Sequence, residues 1–164
     1  MMNRVSQIKT IPENSIILKD FGKTDYLDVY QIRKQTNESV DSITTQIFSL
    51  PLWVNGLLKI RNSIVGKLGL KTESKKDTTV DVYYPTGSKA VFFTVIDRNE
   101  NEIVMAENDK HLNFRTSVYI DRNDTNTDIY LSTLVKFNNT WGKLYFLPVK
   151  PFHKLIIKSL LKSL

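Results

Sequence analysis

Hydrophobic positions along the chain recur with a period of two in some segments and with helical spacing in others. After a polar leader ending near Asn14 comes a short apolar run, Ser15-Ile16-Ile17-Leu18. Between Asp25 and Arg33, Leu27 and Val29 alternate with acidic or aromatic neighbours, which predicts a first strand over Tyr26 to Lys34. The spacing then becomes helical. Val40, Ile43, Ile47 and Leu50 predict a helix over Ser39 to Leu50, with Glu38 and Asp41 near its positive end. A second helix is expected from Pro51, which suits a first turn because its missing N–H has no partner there anyway. Val54, Leu57, Leu58, Ile64, Val65 and Leu68 form its stripe, and Gly69 its stop.

A polar linker, Lys71 to Thr78, leads into a β-rich half. Alternation predicts strands over Val80 to Tyr84, Ala90 to Asp97, Glu102 to Glu107, His111 to Asp121 and Asp128 to Phe137. Polar runs such as Arg98 to Asn101, Asn108 to Lys110 and Arg122 to Asn126 are the short connections of an antiparallel meander. One face of this sheet, carrying Leu112, Phe114, Val118 and Ile120 on one strand and Ile129, Leu131, Val135 and Phe137 on the next, calls for a cover. The segment from Asn138 supplies it. Trp141, Leu144, Tyr145, Phe152, Leu155, Ile156, Leu160 and Leu161 fall near helical spacing, and Pro148 and Pro151 predict a kink. A short strand over Lys143 to Val149, with the helix starting only at Pro151, is the competing reading.

Composition bounds the class. The 164 residues are 41% hydrophobic and 24% charged, with no cysteine, which fits one globular domain over residues 15–164 behind the leader, 1–14. Disulfides, thiolate nucleophiles and cysteine-held metals are excluded. No run approaches the ~18 apolar residues of a membrane span, and Met1 to Thr10 is too polar for a signal-peptide core, so a cytoplasmic location is expected. The net charge of +6 is unevenly spread. Residues 59–76 carry +5, residues 150–164 carry +4, and the remainder is therefore −3.

Several segments, taken in order, carry a resemblance: Pro51-Leu52-Trp53-Val54 with Leu58-Lys59-Ile60-Arg61-Asn62, Gly69-Leu70, Asp109 to Arg115, and Asn139 to Tyr145 running on to Pro151-Phe152-His153-Lys154. Together they resemble an uncharacterised bacterial family, a domain of unknown function within the START-like, or SRPBCC, superfamily. The resemblance spans roughly Tyr26 to the C-terminus. It implies an α+β helix-grip fold: a curved antiparallel sheet on a long C-terminal helix, two short helices after the first strand, and an apolar cavity between sheet and helix. It implies no known reaction. Asn113 stands where the family usually carries Asp, so this chain lacks a carboxylate there. Some relatives carry the domain behind a nucleotide-binding oxidoreductase domain. This chain has no G-x-G-x-x-G, so such a partner is expected as a separate chain.

Catalytic motifs are sparse. His111 and His153 are the only histidines, with no H-E-x-x-H, so no metal site is expected, and no other cofactor is indicated. Gly87-Ser88 lacks the nucleophile-elbow pattern, and Asp121 to Thr125 reads as a hairpin turn rather than a calcium loop. His111, Asn113 and Arg115 would share one face of a strand, opposite Leu112 and Phe114. That face is either a solvated exterior or, if the polar side lines the cavity, a cyclase- or dehydratase-like site with His111 as acid or base and Arg115 polarising a carbonyl. Trp53 reads as core or ligand wall, and Arg61-Asn62 as a salt bridge or helix cap, or as a cover for the cavity mouth.

Lys150, Lys154, Lys158 and Lys162 recur every four residues beside apolar positions, as in a helix lying on an anionic membrane or one packed on a sheet with its lysines in water. The reading carried forward is binding of a small hydrophobic or amphipathic molecule, lipid-like or aromatic, without chemistry of its own. Phe93, Leu112, Phe114, Leu131, Trp141, Tyr145 and Phe152, each on an expected inward face, would line the site. An enzyme using His111 and Arg115, and a membrane or protein-interaction module using the basic helices, are the alternatives. Nucleic acid is disfavoured, because the charge excess is modest and no reading motif accompanies it.

Overall fold

A computed structural model describes residues 4–49, 82–90 and 93–164. The expected second helix with its basic stretch, the linker after it, and Trp53, Arg61 and Asn62 lie outside the described residues. The described elements are β1 (Ser6–Ile8), β2 (Tyr26–Lys34), α1 (Val40–Phe48), β3 (Lys89–Ala90), β4 (Phe93–Arg98), β5 (Glu102–Asn108), β6 (Leu112–Arg122), β7 (Thr127–Phe137) and α2 (Thr140–Lys162).

The strands form one curved antiparallel sheet in the order β1-β2-β7-β6-β5-β4-β3. β3 to β7 make the expected meander. β2 returns to pair with β7 along its whole length, from Tyr26 opposite Val135 to Lys34 opposite Thr127. Residues 6–8, within the stretch read as a leader, add β1 at the edge against Val29, Tyr30 and Gln31. Residues 82–84 are not in a strand, and β3 and β4 divide the segment expected as one strand from Ala90. A register shift between Val95 and Asp97 displaces the alternation of β4 by one residue, so that Asp97 faces the outer side with Val104 and Arg98 the helix-covered side with Ile103.

Among the described residues the main core lies between the sheet and helices α1 and α2. Tyr30, Ile32, Val95, Ile103, Met105, Val118, Ile120, Ile129 and Leu131 meet Val40, Ile43, Ile47 and Phe48 of α1 and Ile157, Leu160 and Leu161 of α2. Ser39 caps α1, its side chain accepting from Ser42 N–H at 3.1 Å. Asp41, expected only to complement the helix dipole, is buried and accepts from both terminal nitrogens of the Arg98 guanidinium, at 2.7 and 3.0 Å, and from Tyr84 N–H at 2.8 Å. This charge-assisted clamp fixes α1 to β4.

The outer face of the sheet is covered as well. Ile17 packs on Val104 and Leu134 with Ile11, Ile16 and Phe21 around it. Glu102 holds this strap from beneath: its carboxylate accepts from Ser15 hydroxyl at 2.6 Å and Ile16 N–H at 2.7 Å. Burial pushes the Glu102 carboxyl above its ordinary value, against the pull of those hydrogen bonds.

α2 is one continuous helix from Thr140, capped by the Asn139 side chain, through Pro148 and Pro151. The competing short strand over residues 143–149 does not form. Both prolines are on the solvent side of the helix, where water can satisfy the carbonyls they leave without a donor.

Candidate functional site

Strand periodicity places Tyr26, Asp28, Tyr30 and Ile32 on the helix-covered face of β2. Across the ladder Asp28 lies directly opposite Thr133, and Thr133 opposite Thr116. A carboxylate, phenols and hydroxyls therefore share the face that elsewhere carries Ile129, Leu131, Val118 and Ile120. Above them runs α2, whose buried positions Gly142, Phe146, Ile157, Leu160 and Leu161 set the phase that turns His153 toward the sheet.

The geometry around Asp28 is close. The Tyr26 hydroxyl donates to Asp28 Oδ2 at 2.5 Å, while Asp28 Oδ1 faces His153 Nε2 at 3.6 Å, within ion-pair range but too long for a hydrogen bond. The Asp28 side chain is 1% exposed and that of His153 14%. Asp28 Oδ1, the Tyr30 hydroxyl, Thr133 Oγ1 and His153 Nε2 are buried and have no hydrogen-bond partner among the described residues. Burial, then the hydrogen bond to Asp28, holds the Tyr26 phenol far above its usual value. Burial, then the Asp28 charge, pushes Tyr30 up to about 12. Both phenols therefore remain donors across the physiological range.

Aromatic rings enclose this polar group. Tyr26 meets Phe146 edge-on at 4.8 Å between centroids, and Phe137 lies 5.5 Å from Phe146. Lys150 and Lys158 set their ammonium groups 5.2 and 5.9 Å from the Tyr26 and Tyr30 ring centres, along the seam between α2 and β2. Hydrogen-bond donors and acceptors are thus grouped beside aromatic rings along the seam between α2 and β2. Among the described residues no three His, Asp or Glu side chains are grouped as a metal site.

The residues expected from sequence are distributed differently. Leu131 is fully buried core, and Phe93 lies between Phe48 and Phe114, 5.9 and 5.2 Å from them, on the helix-covered face. Leu112 shares that face and is half-buried. Tyr145 is half-buried on α2. Trp141 and Phe152, expected to face inward, are 72% and 54% exposed on the solvent side of α2. The reason is Gly142: a Cβ there would lie 2.1 Å from the His111 carbonyl oxygen, so this glycine must face the sheet, and Trp141 and Phe152 turn away. Lys150, Lys158 and Lys162 are exposed and Lys154 is half-buried.

His111 and Arg115 are not brought together as an acid–base pair. His111 precedes β6 with Nδ1 against the Asn139 side-chain amide. Arg115 projects on the outer face, roughly 13 Å further along the strand, donating to the carbonyls of Ile17 and Lys19 and lying over Phe21. It fastens the strap. Alternation in β2 does not reveal the group at Asp28, because Leu27 and Val29 supply an apolar set on the opposite side. The available signal was Asp28 at the same parity as Tyr30 and Ile32.

A family profile described as Protein of unknown function (DUF2867) matches residues 21–160, and the chain belongs to that family. No curated protein and no solved structure matches the chain.

Proposed function

We propose that the domain is a helix-grip carrier that binds a small amphipathic molecule, lipid-like or aromatic, between the sheet and α2. The observation carrying this reading is the set of buried atoms without a hydrogen bond among the described residues, Asp28 Oδ1, Tyr30 hydroxyl, Thr133 Oγ1 and His153 Nε2, on one patch of a largely apolar interior. An unsatisfied buried polar group costs about 1–3 kcal/mol, so several together are a standing cost that a polar end group of a ligand would offset. The helix-grip assignment is supported by the strand order, in which β2 closes on β7, and by α2 packing over those two strands.

The test is a thermal-shift and calorimetry panel of fatty acids, lysolipids and aromatic polyketides. A ligand at a hundredfold its Kd stabilises the fold by about 2.7 kcal/mol. Tyr30→Phe and Thr133→Val should each weaken its binding about fivefold, the value of one hydrogen bond. A panel without any shift, or affinities unchanged in both variants, contradicts the proposal.

The buried Asp28–His153 contact favours a second reading, acid–base catalysis on the bound molecule, with these residues in place of His111 and Arg115. Turnover of the bound compound, lost in His153→Ala while binding persists, would select it.

A further inference from the structure

The outward side of α2 is unusually apolar for a solvent face. Trp141, Leu144, Leu147, Phe152 and Leu155 are 72, 52, 61, 54 and 57% exposed. At helical spacing they form one stripe roughly opposite Gly142, Phe146 and Leu160, extending ~21 Å at 1.5 Å per residue. Lysines 143, 150, 154, 158 and 162 occupy one flank of this stripe, and no acidic residue occurs anywhere from Asn139 to Leu164. Exposed Trp, Phe and Leu beside an all-basic flank are the features of a helix that lies in the plane of a lipid headgroup layer.

We propose that this face of α2 docks the domain on an anionic lipid surface, with the lysine flank at the headgroups and Trp141, Leu144, Leu147, Phe152 and Leu155 at the acyl boundary. Charge selects this occupant. A second copy of α2, or the segment 59–76 with its net +5, would bring like charge onto the same lysines, whereas an anionic bilayer neutralises them. No helix among the described residues is long and apolar enough to cross a membrane, so the contact is interfacial. Because Lys150 and Lys158 also overhang Tyr26 and Tyr30, docking places the seam between α2 and β2 beside the lipid. Docking through this face requires no ligand at Asp28.

The experiment is flotation of the full chain with large unilamellar vesicles of phosphatidylcholine, alone or with about a third phosphatidylserine. Binding is expected only to the anionic vesicles. It should weaken strongly between about 0.1 and 1 M salt, as the screening length contracts from ~10 to ~3 Å. Each of Lys150→Gln, Lys158→Gln and Lys162→Gln should reduce it about fivefold, and Trp141→Ser with Phe152→Ser should reduce it at least tenfold. These side chains are exposed, so unchanged thermal melts will show that the variants fold. In a Trp53→Phe background the emission of Trp141 should be that of exposed indole in solution and shift to the blue on binding. Absence of anionic-vesicle binding, or binding indifferent to the Trp141 and Phe152 changes, overturns the proposal. So does a Trp141 already shielded from quencher in the free protein, which would mean that another part of the chain or a second copy covers the face.

Discussion

Asp28 and Glu102 are buried carboxylates on opposite faces of the same sheet, and their surroundings assign them different work. Glu102 is tied to a Ser15 hydroxyl and the Ile16 N–H, which anchors the strap of residues 11–21. Asp28 has one oxygen bonded to Tyr26 and the other without a hydrogen bond among the described residues, facing a histidine. A structural carboxylate saturates its acceptors, while one with spare capacity in a dry interior suits a site. The elevated Glu102 pKa has a stability consequence whose sign is fixed. The folded chain keeps its proton to higher pH than the unfolded chain, so the stability that Glu102 contributes is greatest below the unfolded value and is lost as pH rises through the folded one. Urea titrations of the wild type and Glu102→Gln across the acid-to-neutral range should show the wild type losing stability relative to the variant as pH rises. A relative gain would contradict the burial argument.

At the scale of elements, the orientation of α2 decides what the protein presents on both sides. Its N-terminus is pinned where Gly142 approaches the His111 carbonyl, and that same carbonyl accepts from Asn138 N–H at 2.9 Å, so it cannot easily give way. Gly→Ala in an open helix gains about 1 kcal/mol of helix propensity. Here the added methyl meets backbone, and overpacking should reverse the sign to a net loss of about 2 kcal/mol in denaturant melts. A more stable Gly142→Ala would mean that the first turn of α2 does not set the helix phase.

The period-two and helical patterns made β2, α1, β5, β6 and β7 legible nearly to their ends, because each buries one face continuously. The phase of α2 was not legible. Its sequence is apolar on nearly every side, so spacing alone could not choose between the Phe146–Ile157–Leu160 face and the Trp141–Phe152 face. The site was hidden for a related reason. β2 is covered on both sides near its middle, with Val29 and Tyr30 both fully buried, so alternation there does not mark inside from outside. The role of Arg115 was equally unreadable, since its partners are backbone carbonyls nearly a hundred residues away.

At the scale of the molecule, the described residues form a seven-stranded curved sheet with a strap on its outer face, α1 and α2 on the inner one, and a polar patch in the seam between α2 and β2. Most of the fold is conventional packing, and the departures from it gather along one line, from Asp28 and Tyr30 through His153 to the lysine flank of α2. That concentration is expected of a functional site, where local stability is given up for recognition. The central claim, that the seam holds a small amphipathic molecule through its polar end, is tested most directly by native mass spectrometry of the purified full chain, followed by organic extraction and identification of what is released. The account predicts a stoichiometric apolar or amphipathic compound in the wild type, markedly depleted in Tyr30→Phe combined with Thr133→Val. A ligand-free mass that does not change when the chain is incubated with fatty acids, lysolipids and aromatic polyketides would contradict it.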